Sequence, residues 1–209
     1  MTEFTEYLFR QFDTYTPLQL SLELTAIFFG LLSVVFSARN SILVYPTGLV
    51  STLIFVYIYA TAELYGDIII NIYYFYMSVY GWVLWTRGTN DNHLKITTIK
   101  GKDNLKCLSI FIFSVIFVAL VYYWFGMFGL WWTYVDTFTT GLFFVGMWLL
   151  AKRKIENWAY LIAGDVIVIG IYFYKGLIFT ALFYILLTII AIFGYREWKK
   201  ILHNQRRLQ

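Results

Sequence analysis

Three polar side chains lie inside long apolar runs of this sequence, where an ionisable or amide group is costly and usually has a function. Asp165 lies about midway along one run, Asn71 lies about a turn and a half inside another, and Asp136 lies in the outer third of a third run. Such a carboxylate can hold a cationic solute or a coupling ion, and such an amide can bind a solute's polar groups. Each also has a structural alternative, in which the acid bonds a neighbouring hydroxyl or the amide joins two helices. Solute binding is the first hypothesis for Asp165, and both interpretations stay open for Asn71 and Asp136.

Aromatic side chains make up 22% of the residues and supply a second kind of binding chemistry. Flat rings stack on a planar heteroaromatic solute, and their electron-rich faces attract a cationic ring. The chain has more aromatic rings than the two interfacial belts of a membrane protein require, and Tyr160 is one of them. Trp82, Trp85 and Trp198 end apolar runs at one face, where a belt residue is the default interpretation. A permanently charged, planar vitamin would suit both the acid and the rings.

Groups for catalysis or metal binding are scarce in the sequence. Cys107 is the single cysteine, which excludes an intrachain disulfide and a cysteine-based metal cluster. His93 and His203 lie far apart in polar stretches, and we find no glycine-rich phosphate loop and no nucleophile with a nearby base. The sequence therefore predicts neither an enzyme nor a bound cofactor.

Membrane-spanning helices must position these residues. The chain of 209 residues is 60% hydrophobic and only 13% charged, whereas soluble proteins average about 25% charged residues. Its apolar runs approach the roughly 20 residues with which a helix spans the bilayer, whereas barrel strands would alternate over about 10. We predict an all-α membrane protein of seven transmembrane helices. The spans are 20–38, 42–62, 66–85, 107–125, 130–151, 158–174 and 177–194.

The distribution of lysine and arginine predicts the orientation. Of the 16 cationic residues, only Arg10 and Lys175 fall on one side of the predicted spans, and cations in short loops are retained in the cytoplasm. We therefore expect the N-terminus outside and the C-terminus in the cytoplasm. Topology accounts for the basic charge, so no nucleic-acid partner is predicted. Residues 1–17 have apolar residues at helical spacing, which predicts either an interfacial amphipathic helix or a disordered start.

A shift of 113 residues lays one part of the chain on another without gaps. The shift pairs Glu23 with Asp136, Arg39 with Lys152, Gly81 with Gly194 and Trp85 with Trp198. These pairs hold matching places in two three-helix bundles, so we predict parallel repeats in a 3+1+3 arrangement. The first bundle covers 18–86, a cytoplasmic loop and linker helix cover 87–128, the second bundle covers 129–199, and a basic cytoplasmic tail covers 200–209.

Four motifs resemble the PnuC family of vitamin transporters, whose best-known members carry nicotinamide riboside. They are Y-G-W-V-L-W at 80–85, K-I-E-N-W at 154–158, Y-K-G-L at 174–177 and G-Y-R-E-W at 194–198. The resemblance covers nearly the whole chain and implies a fold similar to the SWEET sugar carriers. It also implies facilitated diffusion across the bacterial inner membrane, a homotrimer, and trapping of the solute by a cytoplasmic kinase.

The resemblance also implies roles for single residues. Trp82 and Trp85 match the family's W-x-x-W, and Asn157 and Trp158 match its N-W, all of which would form or support the solute site. Leu161 stands where members of the family commonly have a second tryptophan. Some other members of the family look like carriers of thiamine or riboflavin. We predict uptake of nicotinamide riboside by rocking of the two bundles. The alternatives are another vitamin, or a membrane receptor or assembly protein without transport.

Overall fold

The structure, a computed structural model, describes residues 16–61, 65–87, 94–126 and 129–207. Within these ranges it contains seven helices long and apolar enough to cross a membrane, which confirms the predicted all-α, seven-helix fold. The predicted interfacial segment 1–17 lies almost wholly outside the described residues, as does His93. The helices are α1 (Pro17–Ala38), α2 (Val44–Thr61), α3 (Tyr65–Thr86), α4 (Gly101–Trp124), α5 (Trp131–Ala151), α6 (Asn157–Tyr174) and α7 (Ile178–Arg207).

Helix α4 begins earlier than the apolar run that predicted it. The Lys100 backbone N–H donates a hydrogen bond of 3.0 Å to the Asp103 carboxylate, which satisfies a donor that the first turn leaves open. The polar residues before the apolar run can therefore be helical, and the helix starts at Gly101.

Helix α7 continues well past the predicted end of its span. Its 30 residues make it about 45 Å long, whereas the hydrocarbon core is about 30 Å thick, so its last turns project beyond the membrane. The extension is stabilised by packing, since Trp198 is fully buried and Leu202 packs against the same core.

Six of the helices form a ring. Helices α1, α2 and α3 pack in order, as do α5, α6 and α7, and these two groups are called the first and second triplets. The triplets meet where α1 packs on α7 and where α3 packs on α5. Helix α4 packs along α5 outside the ring and barely touches α3.

The two triplets contain the same aromatic contact. The Tyr45 and Trp85 rings meet edge to face with centroids 5.1 Å apart, and the Trp158 and Trp198 rings do so at 5.7 Å. Each residue of the second pair lies 113 positions after its counterpart in the first. These four rings are called the aromatic layer, and all four are buried.

The turns after α1 and α5 also match at this spacing. Asn40 has φ 54° and Arg153 has φ 51°, a left-handed conformation that non-glycine residues rarely adopt. In the first turn the Ser41 N–H donates to the Phe36 carbonyl at 2.8 Å, and in the second the Lys154 N–H donates to the carbonyl 113 positions after Phe36 at 2.9 Å. Two distant parts of the chain therefore share one local geometry.

Most of the described cations lie at the end of the bundle where α1, α3 and α5 end, called here the basic end. Residues 94–100, called the strap, lie across this end and bury Ile96 in the core. The Thr97 N–H donates to the Arg153 carbonyl, and the Thr97 carbonyl accepts from the Ile155 N–H, both at 3.0 Å. The strap is therefore fixed to the turn between α5 and α6.

Two cations of that turn strengthen the attachment. The Arg153 guanidinium donates to the Leu94 carbonyl and lies 3.9 Å from the centre of the Trp85 ring. Burial lowers the pKa of this guanidinium, but its ordinary value is so high that it stays charged. Lys154 Nζ lies 3.0 Å from the Asp103 carboxylate, which ties the same turn to the start of α4.

Candidate functional site

A cavity of about 250 Å³ lies inside the ring of six helices. Every helix except α4 contributes to its wall. The lining residues are Gly30, Ser33, Val34, Gly48, Ser51, Thr52, Tyr74, Ser78, Phe143, Met147, Trp158, Leu161, Asp165, Tyr184, Leu187 and Ala191.

Most of the wall consists of positions that pair at a spacing of 113 residues. The pairs are Gly30 with Phe143, Val34 with Met147, Gly48 with Leu161, Thr52 with Asp165, Tyr74 with Leu187, and Ser78 with Ala191. The cavity therefore lies between the triplets and is framed by equivalent faces of both. The two faces differ in chemistry, because in five of the six pairs the first triplet supplies a glycine or a hydroxyl and the second supplies an apolar side chain or the acid.

Asp165 lies at the middle of α6 and is only 6% exposed. No cation pairs with it among the described residues. A buried carboxylate without a cation is costly, so the site favours a positively charged partner. The Tyr74 and Tyr184 side chains, which line the same cavity, lie close enough to interact with it electrostatically.

Three hydroxyls of the first triplet donate to backbone carbonyls and not to Asp165. Ser33 Oγ donates to the Val44 carbonyl at 2.7 Å, and Ser51 Oγ donates to the Ala26 carbonyl at 2.8 Å. Thr52, the counterpart of Asp165, donates within its own helix. These contacts leave the acid available to a solute rather than to the wall.

The aromatic layer closes the cavity toward the basic end. Trp158 belongs to both the layer and the cavity wall, is fully buried, and has an indole Nε1 without a hydrogen-bond partner in the described structure. Seven residues separate it from Asp165 on α6, which places the two about 10 Å apart along the helix axis. The cavity wall therefore has the Trp158 ring near the basic end and the Asp165 carboxylate at the middle of α6.

Two hydrogen bonds within this layer join the triplets. Trp85 Nε1 donates to the Ala151 carbonyl at the end of α5 at 3.2 Å, and Trp198 Nε1 donates to the Ser37 carbonyl near the end of α1 at 2.9 Å. The belt interpretation of Trp85 and Trp198 is therefore wrong. Trp85 is 3% exposed and Trp198 is fully buried, because each indole finds an acceptor between the triplets.

Asn157 lies beside the layer and does not line the cavity. It is fully buried, its Nδ2 donates to the Lys154 carbonyl at 2.6 Å, and its Oδ1 has no partner among the described residues. It begins α6 directly before Trp158, so its contacts help to fix that ring.

The remaining predicted site residues are outside the cavity wall. Trp82 is 38% exposed on α3, and Tyr160 packs against a separate core cluster beside α4. Asn71 donates to the Asp67 carbonyl one turn earlier at 3.0 Å. Asp136 interacts electrostatically with Asp67, toward the end of the bundle opposite the basic end.

The structure therefore places Asp165 and Trp158 in the cavity, with Trp85 and Asn157 supporting it. From the sequence, Tyr74 is one of the rings in excess of the two interfacial belts, whereas Tyr184 and the small residues of α1 and α2 were not selected as site residues. The signal for the small residues was the shift of 113 positions, which set Thr52 opposite Asp165 and set glycine or serine opposite much of the second triplet's wall.

Comparisons with known proteins agree with this architecture. Nicotinamide riboside transporter PnuC of Escherichia coli strain K12 is 26% identical over 197 residues, covering 81% of each chain, and its Shigella flexneri counterpart matches equally. A crystal structure of the vitamin B3 transporter PnuC shares the fold, with a TM-score of 0.66 at 22% identity over 88% of this chain and 82% of that one. The model of the family described as "Nicotinamide mononucleotide transporter" matches residues 20–200 of this chain. The predicted resemblance is thus confirmed, and this chain belongs to that transporter family.

Proposed function

We propose that this protein carries nicotinamide riboside across the bacterial inner membrane by facilitated diffusion. The observation that carries the proposal is Asp165, a buried acid that pairs with no cation in the described part of the chain, in the wall of a cavity between two helix triplets. The pyridinium ring of nicotinamide riboside has a fixed positive charge, which would neutralise this acid. The cavity of about 250 Å³ lies just below the usual range of about 300 to 1,000 Å³ for drug-sized ligands, which suits a single nucleoside.

Aromatic and polar groups of the wall would bind the rest of the solute. Tyr74, Tyr184 and Trp158 offer rings for stacking, and the free indole Nε1 of Trp158 offers a donor to a ribose hydroxyl or carboxamide oxygen. Asn157 and Trp85 would hold Trp158 and the layer in place. Asn71 and Asp136 would act along the route from the opposite end.

The wall chemistry favours the riboside over the mononucleotide. None of the described residues that line the cavity is lysine, arginine or histidine, whereas a phosphate group is usually bound by such cations or by several backbone N–H groups. The phosphate of a mononucleotide would also be repelled by Asp165. We therefore propose that the protein does not transport the mononucleotide.

The two triplets would move relative to each other around this site. Opening toward the basic end requires loss of the hydrogen bonds that Trp85 and Trp198 make across the triplets. We propose that the basic end faces the cytoplasm and that the N-terminus lies outside, because cations are retained inside. A cytoplasmic kinase would then trap the solute by phosphorylation.

A homotrimer is part of the same proposal. Helix α4 supports it, because it contributes nothing to the cavity wall and exposes large apolar residues such as Phe113 and Leu120. Native mass spectrometry of the detergent-solubilised protein checks this, and a uniformly monomeric species that transports would contradict it.

Thiamine is the second candidate solute. Its thiazolium ring is also cationic, so Asp165 would accept it equally well. Leu161, which lines the cavity where family members commonly have a second tryptophan, leaves more room for a different ring. Riboflavin, which has no fixed positive charge, gains nothing from Asp165 and is a weaker alternative.

Equilibrium binding to the purified protein tests the site. Tryptophan fluorescence is titrated with nicotinamide riboside, its mononucleotide, thiamine and riboflavin, for the wild type, Asp165→Asn and Asp136→Asn. A charge pair at about 4 Å in a partly screened site contributes up to about 4 kcal/mol, and about half of that corresponds to a roughly 30-fold weaker affinity for Asp165→Asn. Asp136→Asn should change the affinity less than about threefold, because Asp136 is outside the cavity wall. An equal loss of affinity in both variants would argue against Asp165 as the charge partner of the solute.

A further inference from the structure

The strap and the projecting end of α7 form a second cavity, separate from the transport site. Its volume is about 300 Å³, and it lies at the basic end. Its lining residues are Lys95, Ile96, Thr97, Thr98, Lys100, Leu202, Gln205 and Arg206. Three of them are cationic and none is acidic.

The cations of this cavity have no acidic partner in the part of the chain that the structure describes. Lys95, Lys100 and Arg206 make no ion pair with any described residue, whereas the nearby Lys154 and Lys200 are each paired with a carboxylate. Cations that only direct topology need to be on the correct side of the membrane and need not converge on one cavity. Their convergence without a counterion favours an anionic ligand.

Further polar groups of the cavity suit an anion. Gln205 Oε1 is buried and has no hydrogen-bond partner among the described residues. The Gln205 amide also has an Nε2 donor, and Thr97 and Thr98 add hydroxyl donors. Arg206 also lines an adjoining cavity with Lys199, where Glu156 is the acidic residue of the wall.

The geometry of both walls is fixed by packing. The strap is held by its backbone hydrogen bonds to the turn between α5 and α6, and Ile96 anchors it in the core. Leu202, Gln205 and Arg206 share one face of α7, because they are three and four residues apart. The backbone of both walls is therefore fixed before a ligand binds, which reduces the entropic cost of binding.

We propose that this cavity binds a phosphate-bearing anion, which bridges the strap and the end of α7. The phosphate could belong to an anionic phospholipid headgroup, because the projecting turns of α7 begin at the membrane surface, or to a soluble phosphate ester. Either ligand would hold the strap against α7. The strap in turn holds the turn whose Arg153 covers Trp85 of the aromatic layer, so binding would stabilise the closed basic end.

Hydrogen exchange of the strap amides measures this directly and does not depend on the transported solute. The full protein is placed in nanodiscs of phosphatidylcholine, and exchange is followed on addition of ribose 5-phosphate. A parallel sample contains phosphatidylglycerol in place of part of the phosphatidylcholine. Protection by ribose 5-phosphate assigns a soluble ester, protection by phosphatidylglycerol alone assigns a headgroup, and both support the site.

A charge-matched pair of variants separates a built site from general surface potential. The site variant is Lys95→Gln, Lys100→Gln, Arg206→Gln, and the control variant is Lys102→Gln, Arg196→Gln, Arg207→Gln, which removes three exposed cations outside this cavity. Each cation near a binding surface raises anion affinity several-fold, so the site variant should need at least about tenfold more of the effective probe for half-maximal protection.

The control variant should differ from the wild type by less than about twofold. Lys95→Arg, Lys100→Arg, Arg206→Lys should keep most of the protection, because the charge stays in place. The proposal is overturned if neither phosphate probe protects the strap. It is also overturned if the control variant weakens protection as much as the site variant.

Discussion

Replacing Trp85 and Trp198 by phenylalanine should open the basic end of the bundle. Each substitution keeps a ring in the aromatic layer and removes one hydrogen bond between the triplets, of 3.2 Å for Trp85 and 2.9 Å for Trp198. A protein hydrogen bond contributes about 1 kcal/mol net, which corresponds to a roughly fivefold change in the ratio of open to closed molecules. The Trp85 and Trp198 rings also pack on each other, with centroids 6.2 Å apart, so the two effects are coupled, and the double variant should shift that ratio more than either single variant does.

The assay is the labelling rate of a cysteine placed in the cavity. Ser78 is 4% exposed and lines the cavity, so Ser78→Cys in a Cys107→Ala background reports opening. A thiol reagent that does not cross membranes is applied from the basic side. We expect labelling to rise about fivefold in each single variant and by more than that in the double variant.

Trp82→Phe is the matched control, because Trp82 belongs to the same motif and is 38% exposed on α3 outside the aromatic layer. Its labelling rate should stay at the wild-type level. Unchanged labelling in a folded double variant would refute the gating role of the two bonds. An equal rise for reagent applied from the opposite side would mean that the bundle is loosened throughout.

Two further predictions concern packing and the strap. Gly194→Ala should lower the thermal unfolding midpoint, because the added Cβ would lie 2.6 Å from the Trp158 ring. Such overpacking costs about 1 to 3 kcal/mol. Gly170→Ala is the control and should leave the midpoint unchanged, because its added Cβ would have nothing within 4 Å. An unchanged midpoint for Gly194→Ala would mean that the ring can move away. Lys154→Met should speed hydrogen exchange of the strap roughly tenfold, because it removes a largely buried cation that lies 3.0 Å from Asp103. An unchanged exchange rate would show that backbone hydrogen bonds alone hold the strap.

The sequence was sufficient to predict the seven helices and the central acid. Lipid demands long apolar runs, so span positions can be read directly from composition. An ionisable residue in the middle of a span is rare enough to be recognised alone, and Asp165 indeed lines the central cavity. The shift of 113 residues also reproduced contacts, since Tyr45 and Trp158 pack on glycines 36 positions later in both triplets.

Other features depend on long-range packing that a sequence pattern does not contain. A tryptophan at the end of a span has the same local sequence whether it faces lipid or the neighbouring triplet, so the buried positions of Trp85 and Trp198 were mistaken for a belt. The strap has no helical or strand periodicity, and its position follows from the burial of Ile96 and from hydrogen bonds to residues more than 50 positions away. The extension of α7 depends on Leu202 meeting that strap and core.

Uptake of labelled nicotinamide riboside into liposomes that hold the purified protein tests transport most directly. Without any ion gradient, we expect saturable entry that stops when the internal and external concentrations are equal, and we expect Asp165→Asn to reduce the rate at low substrate by roughly 30-fold. Entry no faster than into empty liposomes, from protein that still binds the riboside, would contradict the account and leave a membrane receptor as the better description.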